Sequence, residues 1–291
     1  MKPFEGILTA LVTPFKNQKP DDSALRHLVD WQIENGIHGL VPCGTTGESP
    51  TLSLDEKKQV IEIVIEQTRK RVPVIAGTGS NHTQDSIALT SWAKDAGADA
   101  ALVVTPYYNK PSQQGLIAHY QAIAEVGLPL ILYHVPGRTA ATLTIETVVE
   151  LSKIPNIIAI KDATANLDFA SETILHAKPS FTVLSGDDFT FLPLLAIGGK
   201  GIISVVSNVV PRLFLNLYLA FKQGDLQKAR NIHFQLYPLL KSLFIETNPV
   251  PVKTALAWMK KIELEFRLPL CPMTPAHEKS LRESLSALEL I

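Results

Sequence analysis

Short apolar runs rich in β-branched residues recur along the chain, and amphipathic stretches separate them. This alternation is typical of βα units, in which a helix follows each buried strand of a parallel sheet. Eight runs over about 220 residues predict a closed (β/α)8 TIM barrel of the α/β class, with an open doubly wound sheet as the alternative. The predicted strands are residues 6–12, 38–42, 72–76, 100–105, 129–134, 156–161, 181–185 and 201–205.

Helical periodicity replaces the strand pattern after residue 205. We therefore predict that residues 1–222 form the barrel and contain the functional site. Residues 223–291 are predicted to form a C-terminal helical extension. A proline-rich stretch, 248–251, is interpreted as a rigid connection within that extension. The predicted helices are residues 54–69, 86–96, 210–222, 226–244, 252–260 and 276–288.

Charge and cysteine content narrow the classes of partner. The 291 residues carry 27 Lys and Arg against 28 Asp and Glu, and no block of like charges stands out. Nucleic acid and membranes are therefore not expected partners. The two cysteines, Cys43 and Cys271, are too few for a disulfide framework, and no C-x-x-C or H-E-x-x-H spacing predicts a metal site. A reducing, cytoplasmic compartment fits these features best.

The apolar stretch near the N-terminus is short. Glu5 precedes it and Thr13-Pro14 ends it after residues 7–12, so we interpret it as the first strand and not as a signal peptide. No apolar segment approaches the ~20 residues that a membrane-spanning helix needs.

A lysine at the end of the sixth predicted strand is the first candidate for a chemical role. Lys161 closes the apolar run at 157–160. Burial disfavours a charged ammonium, so an amine in this place is a candidate nucleophile near neutral pH. The simpler interpretation is a strand-end lysine that extends to solvent. In a (β/α)8 barrel the carboxyl ends of the strands gather at one face. The residues at the other strand ends therefore help to decide between these two interpretations of Lys161.

A glycine-flanked turn, Gly44-Thr45-Thr46-Gly47-Glu48, follows the second predicted strand. Its two hydroxyls and its backbone N–H groups suit a carboxylate or another small oxyanion. The turn lacks the lysine and the spacing of a phosphate-binding loop. An ordinary turn with local hydroxyl bonding is the alternative.

The fifth predicted strand supplies a phenol and leads to a guanidinium. If Tyr133 points toward Lys161, its hydroxyl could pass protons as a general acid and base. A buried tyrosine with one hydrogen-bond partner is the other interpretation. Arg138 lies on a constrained loop, where its planar fork suits a carboxylate, and a solvated loop arginine is the alternative.

Other polar residues at the strand ends are expected to be structural. Among the eight histidines only His134 lies at a predicted strand end beside a candidate. Asp187 and Asp188 follow the seventh strand, and adjacent carboxylates between a strand and a helix more often cap the helix than bind a metal.

Taken together, these motifs resemble the dihydrodipicolinate synthase/N-acetylneuraminate lyase family of pyruvate-dependent class I aldolases. The resemblance covers nearly the whole chain. It is carried by Gly44-Thr45-Thr46-Gly47-Glu48, Tyr133-His134-Val135-Pro136-Gly137-Arg138-Thr139, Ile160-Lys161-Asp162-Ala163-Thr164, Leu184-Ser185-Gly186-Asp187-Asp188, Gly201-Ile202-Ile203-Ser204-Val205 and Asn248-Pro249-Val250-Pro251-Val252-Lys253.

The resemblance implies a reaction and a set of roles. Lys161 would form an imine with pyruvate, which would then condense with L-aspartate 4-semialdehyde to give 4-hydroxy-tetrahydrodipicolinate, without a metal or cofactor. This reaction is the first committed step of diaminopimelate and lysine biosynthesis. The family's proton relay corresponds here to Tyr133, Thr45 and Tyr108, the last reaching across a dimer interface that Tyr107 lines. Thr46, Gly186 and Ile203 would position pyruvate, and Arg138 would hold the carboxylate of the aldehyde.

The resemblance also implies a homotetramer, built as a dimer of dimers, and it leaves substrate and regulation open. Other pyruvate aldolases, such as N-acetylneuraminate lyase or a 2-keto-3-deoxy sugar acid aldolase, remain the nearest alternative. A barrel isomerase that uses Lys161 only as a charge and a non-catalytic ligand-binding barrel are the others. His134 stands where an asparagine is common. Leu54 and Lys57 stand where lysine-inhibited members carry histidines, so the sequence does not predict feedback inhibition.

Overall fold

The computed structural model describes residues 4–291 and contains the parallel sheet that the sequence predicts. Its strands are β1 (Gly6–Ala10), β2 (Gly39–Val41), β3 (Ile75–Gly77), β4 (Ala100–Val104), β5 (Leu130–His134), β6 (Ile157–Asp162), β7 (Thr182–Ser185) and β8 (Gly201–Ser204). Their order in the sheet is β2-β1-β8-β7-β6-β5-β4-β3. The last strand lies beside the first while all others follow chain order. This arrangement is a (β/α)8 barrel and excludes the open doubly wound sheet.

The junction of the first and last strands depends on close backbone approach. Gly6 donates its N–H to the carbonyl of Lys200 at 3.0 Å. A Cβ at Gly201 would lie 2.3 Å from the Gly6 carbonyl oxygen, which no side chain tolerates. Glycine at position 201 is therefore required for the two strands to pair at this distance.

Helices alternate with the strands and continue after β8. Each of the six helices predicted from periodicity is present, with ends within three residues of the prediction. The helices are α1 (Asp22–Glu34), α2 (Leu54–Thr68), α3 (Thr83–Asp95), α4 (Gln113–Ala124), α5 (Pro136–Thr139), α6 (Ile145–Ser152), α7 (Leu167–His176), α8 (Phe191–Ala196), α9 (Pro211–Lys222), α10 (Leu226–Leu243), α11 (Val250–Trp258) and α12 (Pro275–Ser286).

Side-chain caps define where several helices begin. Ser53 and Glu56 form a reciprocal capping box at the start of α2, since the serine hydroxyl accepts from the Glu56 N–H and the glutamate accepts from the Ser53 N–H. At α7 the amide oxygen of Asn166 accepts from two N–H groups of the first turn. These caps satisfy N–H groups that have no partner within the helix.

Two local features differ from the sequence interpretation. The stretch 248–251 is only partly a connection, because α11 already begins at Val250, where prolines near the first turn lose no helical hydrogen bond. A two-stranded hairpin, Phe15–Lys16 with Lys19–Pro20, was not predicted. Its two turn residues have positive φ angles, as a tight hairpin requires.

The described chain forms two compact units. The first comprises residues 4–8 with Pro73–Ser204, and its core consists of the fully buried apolar residues of β4 to β7 with the helices that cover them. The second comprises Thr9–Val72 with Val205–Ile291, and in it α1 packs on α2 while α10 packs on α9 and α12. The boundary expected at residue 222 stays a prediction. Within residues 4–291 no helix combines the length and the apolarity that crossing a membrane requires.

Candidate active site

In the first unit, the amine of Lys161 lies against the ring of Tyr133. The two residues are register partners on β6 and β5, and side chains at paired positions of adjacent strands lie on the same face of a sheet. Lys161 Nζ is 4.1 Å from the centre of the Tyr133 ring. Only 5 % of Lys161 and 6 % of Tyr133 is exposed. The lysine is therefore buried beside a phenol and does not extend to solvent.

The next residue on each strand faces the opposite side of the sheet and fixes the strand ends. His134 Nε2 accepts the N–H of Leu143 at 3.1 Å, so the ring proton of the neutral imidazole lies on Nδ1, 3.6 Å from an oxygen of Asp162. Asp162 also accepts from the N–H and the hydroxyl of Thr164. These contacts give His134 a structural role, as the sequence predicts, and hold the ends of β5 and β6 next to Lys161.

Gly186 lies immediately after β7, close to the strand that carries Lys161. It donates its N–H to the carbonyl of Asp162 at 2.6 Å. A Cβ at position 186 would lie 2.7 Å from Cβ of Ala163, so a larger residue would force the two strand ends apart.

The two carboxylates after β7, those of Asp187 and Asp188, make different contacts. Asp187 accepts from the N–H and the hydroxyl of Thr190, the residue before α8, so it braces the loop. The capping of this helix that the sequence predicts is not found, because no side chain of the described residues accepts from the first turn of α8. Asp188 is buried and accepts the hydroxyl of Ser204 on β8 at 2.5 Å. This bond ties the end of β8, with the buried Ile203, to the loop after β7.

Arg138 is exposed on the short helix α5. The following residue holds that helix in place, because the Thr139 hydroxyl bonds to the carbonyls of Val135 and Ala141 and accepts from Thr105 Oγ1. The loop that carries the exposed Arg138 is therefore anchored.

Tyr108 stands at the surface of the first unit. It is 90 % exposed and has a φ angle of 73°, a left-handed conformation that is rare for an aromatic residue. Its neighbours are held firmly, since Asn81 donates to the carbonyl of Tyr107 while Asn109 donates to that of Asn81. A rigid loop therefore presents a phenol to the exterior.

In the second unit, the turn at 44–48 is compact and closed by backbone bonds. The N–H of Gly47 bonds to the carbonyl of Gly44, and the N–H of Glu48 bonds to that of Thr45, both at 3.1 Å. Thr46 is buried, whereas Thr45 is partly exposed. Asn248 donates its amide N–H to Thr46 Oγ1 at 2.9 Å. Because that oxygen already accepts a bond, the threonine proton is directed to a different acceptor.

Sequence reasoning assigned no role to a buried ion pair in this unit. Lys253 Nζ lies 2.5 Å from Glu48 Oε1, and neither side chain has exposed surface. The signal was present in the sequence, because Lys253 interrupts the apolar stretch that becomes α11. Its partner was not predictable locally, since the two residues lie 205 positions apart.

The other candidate nucleophile, the Cys43 thiol, and the possible metal ligands are less suited to catalysis. Burial raises the pKa of the Cys43 thiol to about 12, so the thiolate is scarce at neutral pH. Among residues 4–291, no three His, Cys, Asp or Glu side chains are grouped as metal ligands.

A buried lysine at the carboxyl end of a strand in a (β/α)8 barrel, in contact with a tyrosine, is the arrangement expected of an enzyme that attacks carbonyl groups with an amine. Comparison with known proteins agrees with that class. The model of the dihydrodipicolinate synthetase family matches residues 3–288. The chain belongs to this family.

Relatives and solved structures resemble the chain over its whole length. The 4-hydroxy-tetrahydrodipicolinate synthase of Oleidesulfovibrio alaskensis is 56 % identical over 290 residues, which cover 99 % of both chains. The crystal structure of dihydrodipicolinate synthase from Aquifex aeolicus has a TM-score of 0.97 and 47 % identity, covering 99 % of both chains. A variant described as the first monomeric dihydrodipicolinate synthase has a TM-score of 0.97 and 42 % identity, covering 99 % of this chain and 98 % of its own. These names indicate a lyase with 4-hydroxy-tetrahydrodipicolinate synthase activity.

Proposed function

We propose that this chain condenses pyruvate with L-aspartate 4-semialdehyde to form 4-hydroxy-tetrahydrodipicolinate, the first committed step of diaminopimelate and lysine biosynthesis. The observation that carries the proposal is the buried amine of Lys161 beside the ring of Tyr133. An amine held beside a phenol at the carboxyl end of a barrel strand can attack a carbonyl carbon. Family membership and the names of the relatives support the choice of substrates.

The first half of the reaction makes a carbon nucleophile. Lys161 Nζ attacks the ketone carbon of pyruvate, and the resulting carbinolamine loses water to become an imine. The imine withdraws electrons from the adjacent methyl group, which loses a proton to give an enamine. The Tyr133 hydroxyl is the proposed proton carrier for the loss of water and for the methyl proton, with Thr45 and Tyr108 completing the relay. The imine serves as the electron sink, so the proposed reaction uses neither metal nor cofactor.

The second half consumes the enamine. Its carbon attacks the aldehyde of aspartate semialdehyde, forming a carbon–carbon bond and a hydroxyl group. The amine of the same substrate then attacks the imine carbon, closes the ring and releases Lys161. Arg138 is proposed to orient the aldehyde through its carboxylate. Its exposed position on an anchored helix supports this role, because a guanidinium fork can bind both carboxylate oxygens.

Binding of pyruvate is proposed to use the turn at 44–48. Thr46 carries a proton directed away from Asn248, and Thr45 supplies a second hydroxyl and an N–H group, which together suit the carboxylate. Gly186 and Ile203 are proposed to border pyruvate and its imine. The close backbone contact at Gly186 and the bond that anchors the end of β8 support this assignment.

Assembly belongs to the same proposal. Tyr108 is 90 % exposed on a rigid loop, as suits a residue that acts in a neighbouring subunit. We propose a homotetramer, a dimer of dimers, in the cytoplasm, with no nucleic-acid or membrane partner. The monomeric variant among the similar structures makes sedimentation velocity the direct test of this part.

Trapping with borohydride tests the chemistry. Reduction in the presence of pyruvate is expected to add one stable mass to the peptide that contains Lys161, and aspartate semialdehyde is expected to yield the heterocycle during turnover. An unmodified Lys161 under turnover conditions would exclude the imine and leave an isomerase or a binding protein. A Lys161 adduct with cleavage of N-acetylneuraminate or a keto-deoxy sugar acid, but no condensation, would identify another pyruvate aldolase.

A further inference from the structure

We propose that Lys253 is a positioning residue for pyruvate binding: through Glu48 it fixes the turn at 44–48 whose hydroxyl and N–H groups receive the carboxylate. The inference rests on the proposed function, and it gives α11 an indirect part in pyruvate binding. Lys253 touches no substrate in this scheme and acts through the turn alone.

The first observation is the burial of the ion pair. Lys253 and Glu48 have no exposed side-chain surface, and the ammonium also lies 4.2 Å from the centre of the Phe15 ring. Burial lowers the pKa of Lys253, and the nearby Glu48 carboxylate opposes that shift. Buried pairs contribute little net stability, because both charges lose their hydration, so such a pair is often better understood as fixing one geometry.

The second observation is the strain in the backbone that the pair holds. Glu48 has a φ angle of 53° and Cys43 one of 57°, so left-handed residues lie at both sides of the turn. A residue with a side chain occupies this region at a free-energy cost and stays there only when its surroundings enforce it. The bond from Lys253 supplies such enforcement at one of the two positions.

The third observation is that the same segment reaches the turn twice. Asn248, just before α11, donates to the hydroxyl of Thr46, and Lys253, on α11, binds Glu48. On the other side, the hydroxyl of Thr13 donates to the carbonyl of Gly47 at 2.7 Å. The turn is therefore held from both sides. Of the two bonds from the segment that contains Asn248 and Lys253, only the bond of Lys253 involves a charged side chain.

Three variants distinguish an effect of Lys253 on the position of the turn at 44–48 from an effect on the stability of the protein. Lys253→Met leaves a buried carboxylate without its cation, Glu48→Gln is the milder change that keeps the shape, and the double variant Glu48→Gln/Lys253→Met removes both charges. For each variant, thermal unfolding is recorded together with the pyruvate concentration that gives half-maximal borohydride trapping on Lys161. The Michaelis constant for the aldehyde is the second kinetic readout.

Lys253→Met is expected to raise the half-saturating pyruvate concentration by about 10- to 100-fold, the effect of misplacing a binding group by about 1 Å. The Michaelis constant for the aldehyde is expected to stay within about twofold, because Arg138 is untouched. The double variant should unfold at a higher temperature than Lys253→Met, since no charge is buried alone. It should nevertheless keep the raised pyruvate requirement. Recovery of pyruvate binding together with stability would show a purely structural role and overturn the inference.

Arg71→Met provides the matched control. The Arg71 side chain pairs with Asp30 and donates to the carbonyl of Thr68, so its loss weakens the same unit away from the Glu48–Lys253 pair. It should lower the unfolding temperature and leave half-saturation by pyruvate unchanged. An equal rise in Arg71→Met would overturn the inference. A native protein that forms no Lys161 adduct would overturn the proposed function and this inference together, whereas a native adduct with unchanged half-saturation in Lys253→Met would overturn the inference alone.

Discussion

Tyr133 and Lys161 are register partners on β5 and β6, and the ring of the tyrosine covers the amine at 4.1 Å. The pairing of two strands therefore creates the contact, without a specialised loop. Positions set by a sheet are fixed more precisely than positions on loops, which suits a group that must meet a small ketone in one orientation.

Replacing the amine is expected to remove chemistry without weakening the fold. In Lys161→Met the borohydride adduct should disappear and turnover should fall to the limit of detection. The unfolding temperature should be unchanged or higher, because a buried amine is exchanged for an apolar side chain of similar length. Mass spectrometry after trapping and a thermal scan measure both effects. A variant that still forms a pyruvate adduct would show that a different amine reacts.

Removing the phenol hydroxyl is expected to slow proton transfer while preserving the ring contact. Tyr133→Phe should lower kcat by about 10²- to 10⁴-fold, the usual contribution of one general acid or base. The yield of adduct after long incubation should stay near one per chain, because Lys161 is still buried beside a ring. Single-turnover kinetics distinguish the two quantities. If kcat is preserved, the proton carrier lies elsewhere.

Arg138 is expected to serve the second substrate only. Arg138→Ala should retain pyruvate trapping and lower kcat/KM for the aldehyde by about 10- to 100-fold, which corresponds to the loss of one charge-assisted pair of hydrogen bonds. Arg138→Lys should recover little of that loss, since a single ammonium cannot reproduce the planar fork. Equal loss of trapping and condensation would indicate that Arg138 supports the loop.

Position 186 is expected to tolerate no side chain. In Gly186→Ala the new Cβ would lie 2.7 Å from Cβ of Ala163, so we expect a loss of about 1–3 kcal/mol in the free energy of unfolding and a lower rate of pyruvate trapping. Gly137→Ala is the matched control, because a Cβ there would meet no atom within 4 Å. Chemical denaturation compares the two. Equal stability of both variants would contradict the close approach.

Acid is expected to destabilise the protein through a buried histidine. Burial lowers the pKa of His119 from 6.5 to about 4. Between these values the unfolded chain binds a proton that the folded chain does not, so stability falls as the pH decreases from about 6.5 to 4. The loss from this residue is about 3 kcal/mol over that window.

The variant His119→Asn isolates this contribution. Its amide can still face the Thr83 hydroxyl, which lies 3.0 Å from Nδ1 of the histidine. The difference in unfolding free energy between the native protein and the variant should therefore change with pH in the stated direction. Parallel stability curves from pH 7 to 4 would show that His119 titrates normally.

The sequence by itself determined the fold and much of the candidate chemistry. Apolar runs with β-branched residues located all eight strands, because burial on both faces of a parallel sheet imposes that composition locally. Periodicity located the longer helices for the same reason. The ends of some strands depend on nonlocal contacts, which local patterns do not predict. Strand β3 begins at Ile75 and not at residue 72, and the N–H of Val74, just before it, bonds to Asp99 on a later loop.

The tertiary structure decided which side chains meet. Lys161 contacts Tyr133 because of the register of β5 and β6. A shift of one residue in this register would turn Lys161 to the other face of the sheet. The Glu48–Lys253 pair joins residues 205 positions apart. No local sequence pattern around either residue predicts its partner. Short-range periodicity records whether a position is buried, whereas the identity of a buried neighbour depends on how the whole chain closes.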